Sequence, residues 1–159
     1  MATVVGRVDV AVKVRAMVQN IYWTPLLTGA REPTRAHPDD AGFDLYVAQN
    51  VYVQPGEFVD VRSGVAVQLP PGYWGMLTGR SSTLRKRGLL VNPGIIDNGY
   101  RGELFAGVWN LGQTTVRVHE GERLAQLIPI MGTDEWAMQR VDQLDQAERG
   151  TQGFGSTGV

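Results

Sequence analysis

The sequence predicts an all-β fold, a sandwich, barrel or jelly roll, with one short helix and a glycine-rich C-terminal tail. Two observations carry that expectation. Valine, leucine, isoleucine and aromatic residues gather in runs of strand length, and twenty glycines and eight prolines among 159 residues break the chain between them. Only two stretches invite a helix.

The first candidate strand is residues 8–14, where Val8, Val10, Val12 and Val14 make one face apolar while Asp9 and Lys13 face the other way. Residues 43–47, 50–53, 58–61, 65–69, 74–78, 89–91, 104–110, 115–118 and 124–130 follow as short runs of the same kind. Between them lie Gln54-Pro55-Gly56, Pro70-Pro71-Gly72, Asn92-Pro93-Gly94, Asn98-Gly99 and Leu111-Gly112, which supply the backbone angles that turns require. Residues 81–88 form the candidate helix, with a serine N-cap, basic residues late and Gly88 to close it. In residues 134–147, Trp136, Arg140, Val141 and Leu144 offer a helical stripe, but 138–142 is expected as a last strand.

The length fits a single domain over residues 1–148, residues 1–20 being an N-terminal strand or extension, followed by a mobile segment at 149–159. Fifteen basic residues against sixteen acidic ones exclude a general binder of nucleic acid or anionic membrane. Without cysteine there is no disulfide, thiolate metal site or thiol nucleophile. No targeting signal or membrane span is legible, so the cytoplasm is the expected address.

His37 and His119 stand alone, which argues against a transition-metal site. The tail, by contrast, combines Arg149, four glycines, Ser156 and Thr157, an inventory suited to wrapping phosphates, with Phe154 free to stack on a flat ring. A disordered terminus is the alternative. Asn98-Gly99 signals a type I′ hairpin with Asp97 and Tyr100 at its mouth, and Gly94 and Ile96 precede it with backbone groups that a small planar ligand can pair with. Gly79-Arg80-Ser81-Ser82 at a helix start is either an anion site or a cap beside a solvated arginine. Taken singly, Asp44 reads as an exposed strand residue and Gln126 as the polar side of an amphipathic strand.

Together these segments form a pattern. Ala41-Gly42-Phe43-Asp44-Leu45, Gly79-Arg80-Ser81-Ser82, the run from Gly94 through Asp97-Asn98-Gly99-Tyr100 to Glu103, Gly121 to Leu127, and Arg149 to Gly158 resemble, in order, the five motifs of the trimeric dUTPases. The resemblance implies a jelly-roll subunit, a homotrimer with shared active sites closed by the C-terminal segment, and Mg²⁺-dependent hydrolysis of dUTP to dUMP and pyrophosphate. That activity keeps uracil out of DNA and supplies dUMP for dTMP synthesis.

By the same resemblance Asp97 activates the water that attacks the α-phosphorus, and Asp44 holds Mg²⁺ through water. Arg80, Ser81, Ser82 and Gln126 bind the phosphate chain, while Arg149, Gly155, Ser156 and Thr157 hold its end. Asn92, Gly94 and Ile96 read uracil, Tyr100 packs on the deoxyribose and Phe154 stacks on the base. The related dCTP deaminases share the fold, but Gly107 stands where their catalytic glutamate belongs, so a deaminase or bifunctional enzyme is disfavoured. A nucleotide- or protein-binding module on the same scaffold is the remaining alternative.

Overall fold

A computed structural model describes residues 19–132 and 136–146. The strands are β1 (Tyr22–Pro25), β2 (Phe43–Tyr46), β3 (Val51–Val53), β4 (Phe58–Arg62), β5 (Val65–Gln68), β6 (Tyr73–Gly79), β7 (Leu89–Val91), β8 (Gly94–Ile96), β9 (Phe105–Asn110), β10 (Val116–Val118) and β11 (Arg123–Met131). The helix is α1 (Ser81–Arg87), and among the described residues none is long and apolar enough to cross a membrane.

Four antiparallel sheets result, ordered β2-β11-β6-β8, β4-β9-β7, β1-β5 and β10-β3. Alternation decides which face is inside. Along β9, Ala106, Val108 and Asn110 are buried while Phe105 and Trp109 face outward, as period-2 geometry requires. Leu77, Leu89, Leu104, Leu124 and Leu127 are fully buried in one core shared by the sheets. Each stabilises the fold by roughly 1.5–3 kcal/mol relative to exposure.

Asn110 is the polar member of that core. Its Nδ2 donates to Val53 O at 2.9 Å and Thr114 O at 2.8 Å, and its Oδ1 accepts from Gly112 N at 2.9 Å, so a fully buried amide pins the β9–β10 connection to β3.

Helix α1 ends as its sequence demands. Gly88 adopts the left-handed conformation (φ 67°) and donates its N–H to Leu84 O, while Arg85, Lys86 and Arg87 occupy the last turn, where positive charge is favoured. Its start differs from expectation. The N-cap is Arg80, without a side-chain cap bond, because Ser81 is already the first helical residue and the Arg80 side chain turns to Asp44.

Three other expectations change. Asn98-Gly99 does not close a β-hairpin: β8 pairs with β6, Tyr100 N donates to Asp97 O at 3.0 Å, and no described non-glycine residue has the positive φ a type I′ turn needs. Residues 138–142 form no strand: they pair with no described strand, and Met138 is fully exposed. β1 was not legible as a strand, since Tyr22-Trp23-Thr24-Pro25 is exposed throughout and owes its conformation to pairing with β5. The candidate strand at 8–14 lies outside the described residues.

Candidate functional site

The outer face of the sheet β2-β11-β6-β8 carries the chemistry. Cross-strand pairing aligns Asp44, Gln126 and Thr78 in one row and Ile128, Met76 and Ile95 in the next. In the third row Ile130 faces Trp74, and Asp97 follows one residue beyond the last β8 pair, beside Trp74. The opposite face, with Leu45, Ala125, Leu127 and Leu77, is buried.

Asp44 is no exposed strand residue. It is 8% accessible, and its carboxylate is shared by two arginines: Arg80 Nε donates to Oδ1 at 2.6 Å and Arg123 Nη1 to Oδ2 at 3.2 Å. Two guanidinium groups on one carboxylate leave the cluster with net positive charge beside the start of α1, an arrangement that favours an anion. Arg123 went unassigned in the sequence. The register of β11 shifts between Arg123 and Ala125, and such a bulge re-aims a side chain. Gln126 is half-buried and donates Nε2 to Gly79 O at 3.1 Å, passing so close over Gly42 that a Cβ there would stand 2.9 Å from its Oε1. Ser81 and Ser82 occupy the first helical turn, Ser81 exposed and Ser82 partly so.

Asp97 is exposed at a cleft of about 670 Å³ lined by Pro71, Gly72, Tyr73, Trp74, Ile95, Asn98 and Gly132. Gly94 and Ile96 lie in β8, which is an edge of its sheet, so its outer row of backbone groups meets no other described strand. Asn92, just before β8, is exposed, and its backbone N–H is bonded to Gly107 O at 2.7 Å. Tyr100 donates its hydroxyl to Glu103 O at 2.9 Å and lies over Gly102, where no Cβ would fit beneath it. The residue stays 43% exposed.

Glu103 supports that turn. Its carboxylate accepts from Arg62 Nε at 3.1 Å, from Arg62 Nη2 at 2.5 Å and from Gly64 N at 2.9 Å. Burial alone would raise its pKa, but the Arg62 hydrogen bonds, the Gly64 N–H and the Arg62 charge outweigh burial and hold it below the usual glutamate value. The same pairing raises that of Arg62.

Arg149, Phe154, Gly155, Ser156 and Thr157 lie outside the described residues. Among the described residues no group of three or more histidine or acidic side chains could hold a metal ion, and both Asp44 oxygens are engaged by arginines. A single carboxylate already paired with two arginines fits a hydrated divalent cation met through its water shell.

At Gly107, a Cβ would stand 2.7 Å from Phe58 Cζ and 3.4 Å from Asp60 Oδ1. Any side chain there would have to displace the half-exposed Phe58 ring.

Comparison with known proteins identifies relatives of the chain. The family model described as dUTPase matches residues 28–158. The deoxyuridine 5'-triphosphate nucleotidohydrolase of Thermobifida fusca is 43% identical over 129 residues, covering 79% of this chain and 72% of the relative. That of Corynebacterium diphtheriae is 43% identical over 130 residues, covering 80% and 85%. Among solved structures, the Staphylococcus bacteriophage 80alpha dUTPase with dUPNHPP superposes with a TM-score of 0.82 at 31% identity, covering 89% of this chain and 100% of that one. A family match over most of the chain, joined to relatives at this identity and a shared fold, means that the chain belongs to the dUTPase family.

Proposed function

We propose that the chain acts in the cytoplasm as a homotrimeric dUTP diphosphatase in which Asp97 of one subunit serves phosphates held by another. Membership of the dUTPase family makes dUTP hydrolysis its activity. The observation that carries the rest is the spacing of two half-sites. Asp44 and Asp97 lie three strand spacings and four residues apart on one sheet face, roughly 20 Å, too far to act on one phosphoester. The half-exposed row Ile128, Met76 and Ile95 between them is a surface that another copy can cover.

Arg80, Ser81, Ser82 and Gln126 hold the phosphate chain, and Arg149, Gly155, Ser156 and Thr157 its terminal group. The backbone around Asn92, Gly94 and Ile96 reads uracil, Tyr100 packs on the deoxyribose and Phe154 stacks on the base. Asp97 takes a proton from water as that water attacks the α-phosphorus, and pyrophosphate leaves. Asp44 would hold, through water, the Mg²⁺ that accompanies the triphosphate, and the ion would supply neutralisation of phosphate charge.

The test is pyrophosphate release from each deoxynucleoside triphosphate and from UTP in the presence of Mg²⁺, beside sedimentation equilibrium. Cleavage confined to dUTP by a trimer is expected. Comparable cleavage of dTTP or UTP would refute the base and sugar readout, and a concentration-independent monomer would refute the shared site.

A further inference from the structure

β8 leaves the sheet immediately before Asp97. Its pairing with β6 runs Leu77↔Gly94, Met76↔Ile95 and Gly75↔Ile96, and two further steps would bring Tyr73 opposite residue 98. The backbone does not make that last pair. It turns instead, with Tyr100 N closing back on Asp97 O. The Asn98 side chain takes over, its Nδ2 donating to Tyr73 O at 2.7 Å and to Pro70 O at 2.7 Å. A side-chain amide thereby extends the ladder across the point where the main chain departs. It also ties the Asp97–Tyr100 turn to the loop around Pro71 and Gly72, which forms the other wall of the cleft.

From this geometry we infer that Asn98 is a positioning residue for Asp97, acting through its two N–H donors and not through turn propensity. The inference rests on Asp97 being the base. Asn98 occupies a position where any good turn former would satisfy the backbone, since neither it nor Gly99 has positive φ. What no other turn residue of this size supplies is an NH₂ group facing two carbonyls. Aspartate is as good a turn former and nearly identical in shape, but its carboxylate would confront the Tyr73 and Pro70 oxygens with no donor. The pair Asn98→Asp and Asn98→Ala therefore separates the two roles.

The experiment measures kcat and KM for dUTP, thermal midpoint and amide exchange in both variants, alongside Asp97→Asn. With the clamp lost, kcat should fall about ten- to a hundredfold, as displacements near 1 Å do in active sites, and KM should move little. Faster exchange of the Tyr100 amide should accompany it in both variants, with a midpoint lowered by only a few degrees so that both proteins stay folded at the assay temperature. Asn98→Asp with wild-type kcat, or unchanged Tyr100 protection, would overturn the inference. So would a loss of turnover that merely tracks a lowered midpoint. If Asp97→Asn turns over normally, the base assignment falls instead, and the exchange data still decide whether the amide holds the turn.

Discussion

Arg80 binds Asp44 through its Nε, at 2.6 Å, and not through the terminal nitrogens of its fork. The contact fixes the plane of the guanidinium while about a quarter of the side chain, 27%, stays accessible. Asp44 thus acts on Arg80 as a hinge pin, and the terminal nitrogens of the arginine take no part in the contact.

Arg80→Lys keeps the charge but offers one compact ammonium, which can serve Asp44 or a phosphate but not both in the same geometry. The variant should stay folded, with kcat/KM for dUTP lower by roughly ten- to a hundredfold, the equivalent of one hydrogen bond to a charged group at about 1.5–3 kcal/mol. Steady-state kinetics check it, and wild-type kinetics would show that only the charge of Arg80 matters.

Glu103 gives the fold a specific acid sensitivity. Its lowered pKa means that the native state favours the ionised form, so the stabilisation is present above the ordinary glutamate value near 4.3 and is lost as pH falls through the lowered native value. Between pH 5 and 3 the thermal midpoint of the wild type should therefore decline more steeply than that of Glu103→Gln. Parallel declines would assign the acid sensitivity elsewhere.

Gly107 is a packing site for Phe58. Gly107→Ala should destabilise by about 1–3 kcal/mol, as overpacking does, and Phe58→Leu in the same chain should recover part of the loss. Gly107→Glu should release no ammonia from dCTP, because the incoming side chain meets an aromatic ring and the Asp60 carboxylate. Chemical denaturation and an ammonia assay test the two halves.

The β architecture was legible because its signals are local. The apolar runs that became β2 to β7 and β9 to β11 carry their own alternation and turn residues. What escaped the sequence depended on contacts far along the chain. Asp44 reads as a solvent-facing strand residue until Arg80 and Arg123, 36 and 79 positions away, fold over it. Asn98-Gly99 carries a hairpin signal strong enough to hide the use of Asn98, whose acceptors lie 25 and 28 positions upstream. Residues 138–142 have strand composition but pair with no strand among the described residues, and composition alone cannot supply a partner.

The distance between Asp44 and Asp97 also predicts how two inactive proteins behave when mixed. Under the trimer reading, a subunit bearing Arg80→Ala still contributes a sound Asp97, and one bearing Asp97→Asn still contributes a sound phosphate cradle. Dissociated and reassembled in equal amounts, the two should pair a sound half with a sound half in about one site in four, since each junction draws its two sides independently. Turnover would then emerge from a mixture of parents that have almost none, whereas a centre confined to one chain would leave the mixture as inactive as its components.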